Sequence, residues 1–448
     1  MPVAYRDALE LAQRIPSGFT MGVATSSWQI EGASASRGRS IWDEFSETPG
    51  RVLDGATADP ACDHLARITG DVDLIAGLGV DAYRFSFSWP RLMPEGTGPV
   101  SATGLDVYNR LVDEVSERGL TPFATLYHWD LPQALADDFG GWESREICSL
   151  FADYSAAVVR RLGDRVTHWA THNEPGVAME AYLEGTMPPG IIDPKKARQV
   201  AHHIMLSHGM AASAIRAETA SAKVGIVLDV WPCHPVSDKA KAVQKAQMEW
   251  DLRWGWYFEP IAFGRYPKKA WDALGDNVPT IGPGDMDTIR TALDYIGVNY
   301  YSRVRYDEKG EAAKNPESSY TAMDWEIYPQ GMFEVLDLVQ NHYGLGPIYL
   351  TEVGAAFDDE LGPDRTVNDP DRIAFFKDHL AQVHRAIAAG IDVRGFFAWS
   401  LMDNFEWGHG FTKRFGIVYV DYETQERIVK ASGRWYAKAA NANGFKMK

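Results

Sequence analysis

Apolar and β-branched residues gather in short runs along the chain, and each run stops on polar or aromatic side chains. The series is FTMGVATSSWQ, DAYRFSFSW, PFATLYHW, THWATHNE, KVGIVLD, YIGVNYY, IYLTE and RGFFAWS. Runs of this length and composition read as eight buried strands. Helical spacing lies between them. Tyr108, Leu111, Val112 and Val115 fall at i, i+3, i+4 and i+7, and DPDRIAFFKDHLAQVHRAIAAG opens on a capping Asp and closes on Gly390. Eight strand–helix alternations at intervals of roughly 40 to 70 residues predict an α/β chain folded as one (β/α)8 barrel. A doubly wound sheet is the alternative, but no Gly-rich phosphate turn follows the first strand. With no low-complexity tract or Gly/Ser linker, residues 1–448 read as a single barrel domain. The longest irregular stretches are 31–62, 184–195 and 302–330. Loops after barrel strands lie on the C-terminal face, so these three are expected to wall a pocket there.

The ends of the runs carry Gln29 and Glu31, Arg84, His128 and Trp129, Asn173 and Glu174, Asn299 with Tyr300 and Tyr301, Glu352, and Trp399. Each alone reads as a polar cap on a strand; a barrel would gather them round one pocket. Glu174 is followed by Pro175, which removes a backbone donor and is expected to hold Glu174 extended, its side chain at the strand tip. Glu352 interrupts the apolar IYLTEVG. Burying a carboxylate is costly unless it is paired, so two aimed into one cavity imply a use for their charge. Cleavage of a glycosidic bond is such a use.

Composition narrows the choice. A formal charge of −17 opposes binding to a nucleic-acid backbone or an anionic membrane, both of which demand a basic face. Cys62, Cys148 and Cys233 are too far apart for a disulfide framework or a CxxC metal site, which fits a reducing compartment. The start, MPVAYRDALELAQRIPSG, lacks a basic segment followed by an apolar one, and no run of 18 apolar residues follows, so a soluble cytoplasmic protein is expected. His202, His203 and His208 lie in a predicted helix without HExxH spacing, and neither metal nor cofactor is implied. The 15 Trp include several beside carboxylates, Asn or His, a placement that suits sugar faces.

The motifs ATSSWQIEG, YRFSFSWPR, TLYHWDLPQAL, THNEP, GVNYYS, LTEVG, AWSLMDNFEW and KRFGIVYVDY, in that order, resemble glycoside hydrolase family 1, the β-glucosidase family. The resemblance runs from SGFTMGVATSSWQIEG to RWYAKAA, nearly the whole chain. It implies a small β-glycoside as partner, Glu174 as general acid/base and Glu352 as nucleophile, with Arg84 and Tyr301 stabilising the nucleophile's charge. It further implies that Gln29, His128, Asn173, Glu406 and Trp407 bind sugar hydroxyls, that Trp399 is the platform for the sugar, and that Trp325 stacks on the leaving group. Trp129, Asn299 and Phe415 complete the expected substrate-binding set. Such a pair retains configuration and predicts carboxyl groups about 5 to 5.5 Å apart, against about 6.5 to 9.5 Å for inversion.

Two departures stand out. Val353 occupies the place of the family's usual Asn after the nucleophile, and a β-branched residue there is expected to strain a turn of positive φ. Gly176 follows Pro175 where an aromatic is common, opening space beside the acid/base. The rival readings are a 6-phospho-β-glycosidase, whose last loop usually carries Ser, Lys and Tyr in place of NFEWGHGFTKRFG, and an inactive sugar-binding relative. A homo-oligomer is compatible with the sequence.

Overall fold

The structure is a computed structural model that describes residues 13, 14, 16–442, 444 and 445. Most of the N-terminal stretch behind the expectation of no leader lies outside the described residues. Eight parallel strands close into a barrel in chain order: β1 (Thr20–Ala24), β2 (Ala82–Ser86), β3 (Thr121–Tyr127), β4 (His168–Asn173), β5 (Lys223–Asp229), β6 (Tyr295–Tyr300), β7 (Ile348–Val353) and β8 (Val393–Trp399). All eight fall on the runs read from the sequence, and closure of β8 onto β1 excludes the doubly wound sheet. The strands are buried on both faces because helices cover them outside and side chains fill them inside.

The inside is packed by alternating size. Phe123, Tyr295, Tyr349 and Phe397 interleave with Ala24 and Ala82, and the Phe123 and Phe397 rings sit 4.9 Å apart. Gly22 makes room for that layer, since a Cβ on it would lie 2.4 Å from the Phe397 ring. Outside, α1 (His64–Gly77), α2 (Ala102–Glu117), α3 (Glu146–Leu162), α4 (Pro194–Glu218), α5 (Ala240–Arg253), α6 (Gln330–Asp337), α7 (Pro370–Ala388) and α8 (Ala431–Asn441) follow the eight strands in turn, with further short helices between them. In α2 the buried face is Tyr108, Leu111, Val112 and Val115, as spaced, and Ser101 caps the helix by accepting from Gly104 N–H at 3.2 Å. Asp369 does stand at the N-cap of α7, but its carboxylate bonds Arg372 and the Ser432 backbone N–H instead of the helix's own amides. A buried guanidinium outcompetes a neutral N–H for a carboxylate.

The loop expectation needs one correction. Part of the 31–62 stretch is helical: Ile41–Glu47 starts with a capping box of Ser40 and Asp43. The stretch packs behind the C-terminal face, where Trp42, Phe45 and Val52 form a buried cluster with Trp28, Phe405 and Trp407.

Candidate active site

A cavity of about 450 Å³ opens at the C-terminal ends of the strands. Its lining includes His128, Trp129, Glu174, Tyr301, Trp325, Glu352, Trp399, Glu406, Trp407 and Phe415 from the expected set. Thr186 and Met187 come from the 184–195 loop, and Val304, Met323 and Trp325 from the 302–330 loop. The third wall is the loop after β8, not 31–62, whose aromatic residues instead back Trp407 at a Trp42–Trp407 ring distance of 4.6 Å.

Gln29, Arg84, Asn173 and Asn299 do not line the cavity; they are buried behind it and fix those that do. Arg84 Nη1 donates to Glu352 Oε1 at 2.6 Å, and Tyr301 Oη donates to Glu352 Oε2 at 2.5 Å. Arg84 Nη2 reaches Asn173 Oδ1 at 2.7 Å, which also accepts from Asn299 Nδ2 at 3.1 Å. The same Asn299 Nδ2 donates to Glu174 Oε1 at 2.6 Å, and Thr351 Oγ1 holds Asn299 Oδ1 at 2.7 Å. A continuous chain of hydrogen bonds thus joins the two carboxylates. Because two donors fix Asn173 Oδ1, its Nδ2 must face His128 Nε2, 3.2 Å away. His128 therefore accepts on Nε2 and carries its proton on Nδ1, which is buried with no partner. Burial, then Arg84, depress the His128 pKa, which keeps the ring neutral.

The two carboxylates sit in different surroundings. Burial pushes Glu174 well above the ordinary carboxylate range, and the charges of Glu352 and then Asp229 push it further. Glu352 has its two oxygens bound by a guanidinium and a phenol. Glu406 is pushed up to about 8, by burial and then by Glu352, and its Oε2 is buried with no partner. In its protonated form it can both donate and accept, and it then repels a 6-phosphate less than a carboxylate would. A stronger argument against a phosphate is that Arg253 is the only Lys or Arg among the described residues lining the cavity, and it is paired with Glu180 at 2.9 Å.

Backbone strain marks the same places. Glu174, Trp129 and Trp407 have φ of +46°, +75° and +47°, which costs non-glycine residues of order 1–3 kcal/mol each. The expected extended backbone at Glu174 is thus overturned. Pro175 is the first residue of the helix Pro175–Glu184, so the chain passes from strand to helix at one residue while Glu174 N–H bonds Val227 O at 2.9 Å. The following proline forbids the right-handed region, and the left-handed one makes the turn. Register shifts fall between Ala170 and Asn173 and between Leu350 and Glu352, next to both carboxylates, where such irregularities re-aim side chains.

Val353 does not meet a positive φ. It ends β7 paired with Tyr300 and Ala398, fully buried, where a β-branched residue fits. The tight spot is one residue on, at Gly354, where a Cβ would lie 1.7 Å from Trp399 O. Gly176 faces Asp229 Oδ1 and Tyr257, at 3.3 and 3.5 Å from an added Cβ. A methyl would already press on the Asp229 carboxylate, and an indole must turn into the leaving-group side or displace Tyr257. Gly176→Trp is expected to lower kcat/KM on a disaccharide several-fold more than on an aryl glucoside; an unchanged ratio would sink this reading of the glycine.

Aromatic rings complete the walls. Trp129 packs 4.5 Å from Trp407 with the rings tilted by 42° and spends its Nε1–H on Asn173 O at 2.9 Å; Trp399 lies 6.0 Å from the His128 ring. Trp325 meets Trp231, Tyr301 and Phe415 at 5.0, 5.4 and 6.0 Å. Gln29 donates to Asn404 Oδ1 and Phe405 O at 3.1 and 2.7 Å, bracing the loop that carries Glu406. Glu31, one of the strand-end residues, is instead paired with Arg91 at 2.8 Å and bonded by Tyr108 Oη. His202, His203 and His208 are buried in α4 on Asp285 and Tyr266, on Trp142 O, and on Thr171.

A closed barrel whose strand tips turn two differently held carboxylates into an aromatic-lined cavity is the equipment of a glycoside-cleaving enzyme. The family model for glycosyl hydrolase family 1 matches residues 11–445, and the chain belongs to that family and is a glycoside hydrolase. It is 42% identical to β-glucosidase A of Acetivibrio thermocellus, over 96% of this chain and 99% of that one. It is 43% identical to β-glucosidase A of Thermotoga maritima, over 97% and 99%. The solved family 1 β-glucosidase of T. maritima superposes with a TM-score of 0.94 at 43% identity, covering 97% of this chain and 99% of that one; a complex with glucoimidazole matches equally. Among the described residues, no helix is long and apolar enough to cross a membrane.

Proposed function

We propose that the protein is a retaining β-glucosidase that removes terminal non-reducing β-D-glucosyl residues from cello-oligosaccharides or from aryl and alkyl glucosides. The observation that carries this is the contrast between Glu174, held protonated by burial and neighbouring charge, and Glu352, held by Arg84 and Tyr301 in a manner suited to an anion. Support for glucose comes from the relatives named β-glucosidase and from a 42% identical 1,4-β-D-glucan glucohydrolase of Thermotoga neapolitana.

In the first step a Glu352 oxygen bonds the anomeric carbon as the glycosidic bond breaks, and Glu174 gives its proton to the departing oxygen. In the second, Glu174 takes a proton from water, whose oxygen displaces the Glu352 ester. Between the steps the charge on Glu352 disappears, so the Glu174 pKa falls and the acid becomes a base. Asn173, from behind the lining, fixes Arg84 and His128; His128 donates from Nδ1, and Glu406 takes two adjacent hydroxyls over the Trp399 platform. Trp129 and Trp407 close that end, with Gln29 bracing Glu406. Asn299 orients Glu174, and Trp325 with Phe415 flanks the exit of the leaving group.

Residues 1–448 act as one catalytic unit, and free Cys62, Cys148 and Cys233 suit a reducing cytoplasm. The deciding test is initial rates on nitrophenyl β-glucoside, galactoside, fucoside and glucoside-6-phosphate. Preference for the glucoside is expected. Dominance of the phosphorylated substrate would overturn the choice of a neutral sugar, and silence across the panel would favour an inactive sugar-binding relative.

A further inference from the structure

A third carboxylate enters the same cavity. Asp229 is the last residue of β5 and lines the cavity with Glu174 and Glu352. It pairs in register with Asn299, the residue whose Nδ2 donates to Glu174 Oε1 at 2.6 Å. Its Oδ2 accepts from Trp254 Nε1 at 3.2 Å, and its Oδ1 faces Gly176, two residues beyond Glu174, with no side chain between. Among the described residues Asp229 makes no ion pair: Arg253, on α5 nearby, is bonded to Glu180 at 2.9 Å, and its charge offsets that of Asp229 only from a distance. The charged and titratable groups around Glu174 are then Glu352 from β7, Asp229 from β5, Arg84 from β2 and Tyr301 after β6, with Glu406 across the cavity.

We propose that Asp229 is a positioning residue whose negative charge raises the proton affinity of Glu174 in both steps, helping it hold its proton before the first and strengthening it as a base toward water once Glu352 has been consumed. This rests on the acid/base reading of Glu174. The Glu352 charge acts on Glu174 only until the glycosyl ester forms, since that ester is neutral. Asp229 is not esterified, so its charge persists through the second step and maintains Glu174 as an effective base toward water. Burial pushes Asp229 up to about 6, so its charge is present from there upward, over the range in which Glu174 must keep its proton. Gly176 contributes by placing no side chain against the Asp229 carboxylate, which a Cβ there would meet at 3.3 Å.

The test compares pH profiles of Asp229→Asn, Asp229→Glu and Glu174→Gln on an unactivated aryl glucoside, whose departing oxygen draws on the Glu174 proton. Asn preserves an acceptor for Trp254 and removes only the charge. In Asp229→Asn the alkaline limb of kcat/KM is expected to move toward acid by roughly half a unit or more, as loss of a like charge requires. On a dinitrophenyl glucoside, where the second step limits, kcat is expected to fall several-fold. Asp229→Glu restores the charge and is expected to bring the limb back at least halfway. An unmoved limb in Asp229→Asn, or equal shifts in both variants, would overturn the proposal alone, provided the limb is absent from Glu174→Gln. A parent-like limb in Glu174→Gln would overturn the reading of Glu174 and this proposal with it.

Discussion

Glu352→Ala is expected to lower kcat/KM on nitrophenyl β-glucoside by about 10⁴- to 10⁶-fold, the scale of loss when a covalent nucleophile is removed. The side chain is 3% exposed and takes both Arg84 and the Tyr301 hydroxyl, so no neighbouring carboxylate can step into its place without breaking those bonds. The substitution leaves Arg84 buried beside a gap, and stranding one partner of a buried pair costs about 3–5 kcal/mol. A thermal melt must therefore accompany the rate. Azide supplies the decisive readout: it can enter the space left by the carboxylate, on the face opposite the leaving group, and the product is expected to be the α-glycosyl azide. A β-glycosyl azide from this variant would mean that the two glutamates had been assigned the wrong way round.

Much of this was legible because barrel strands are covered on both sides and so appear as apolar runs whose interruptions are informative. Glu174 and Glu352 stood out as carboxylates closing such runs, and the same logic applied to KVGIVLD would have picked out Asp229. It was passed over because an Asp followed by Val230 and Trp231 reads as an ordinary strand end. The supporting residues were harder to read. Thr351 and Asn299 matter through a bond from one strand to the next, and nothing in a linear pattern encodes that partnership. The Arg253–Glu180 pair joins the last residue of α5 to the helix Pro175–Glu184, a contact that no linear pattern encodes.

The errors also have physical causes. A proline after Glu174 does forbid the right-handed conformation, yet two regions remain, and the choice between them was made by a helix beginning at once on Pro175. Loop length alone pointed to 31–62 as a wall. Its aromatic residues found a better burial against the back of Trp407, and the shorter loop after β8 took the front. Val353 was suspected of strain on the assumption that the turn begins directly after Glu352; β7 runs one residue further, and Gly354 meets the close approach of Trp399 instead.

Glu174→Ala should behave differently from the nucleophile variant. Loss of general acid–base catalysis is worth about 10²- to 10⁴-fold, and the loss should depend on the leaving group. A disaccharide needs its departing oxygen protonated, so it should suffer the full loss. A dinitrophenolate leaves unaided, so its first step should persist and the glycosyl-enzyme should accumulate as a burst. Azide then attacks the Glu352 ester from the side Glu174 vacated, restoring turnover and giving the β-glycosyl azide, the opposite anomer from Glu352→Ala. The pH profile follows from the same surroundings. Burial, Glu352 and Asp229 all raise the Glu174 pKa, so the parent enzyme is competent while that proton is bound and loses kcat/KM as pH rises through it. Without Glu174 that alkaline limb has no group to report, and the residual kcat/KM on an unactivated aryl glucoside should run flat where the parent declines on the same substrate. Unchanged disaccharide hydrolysis, or a surviving limb, would remove Glu174 from the acid/base role.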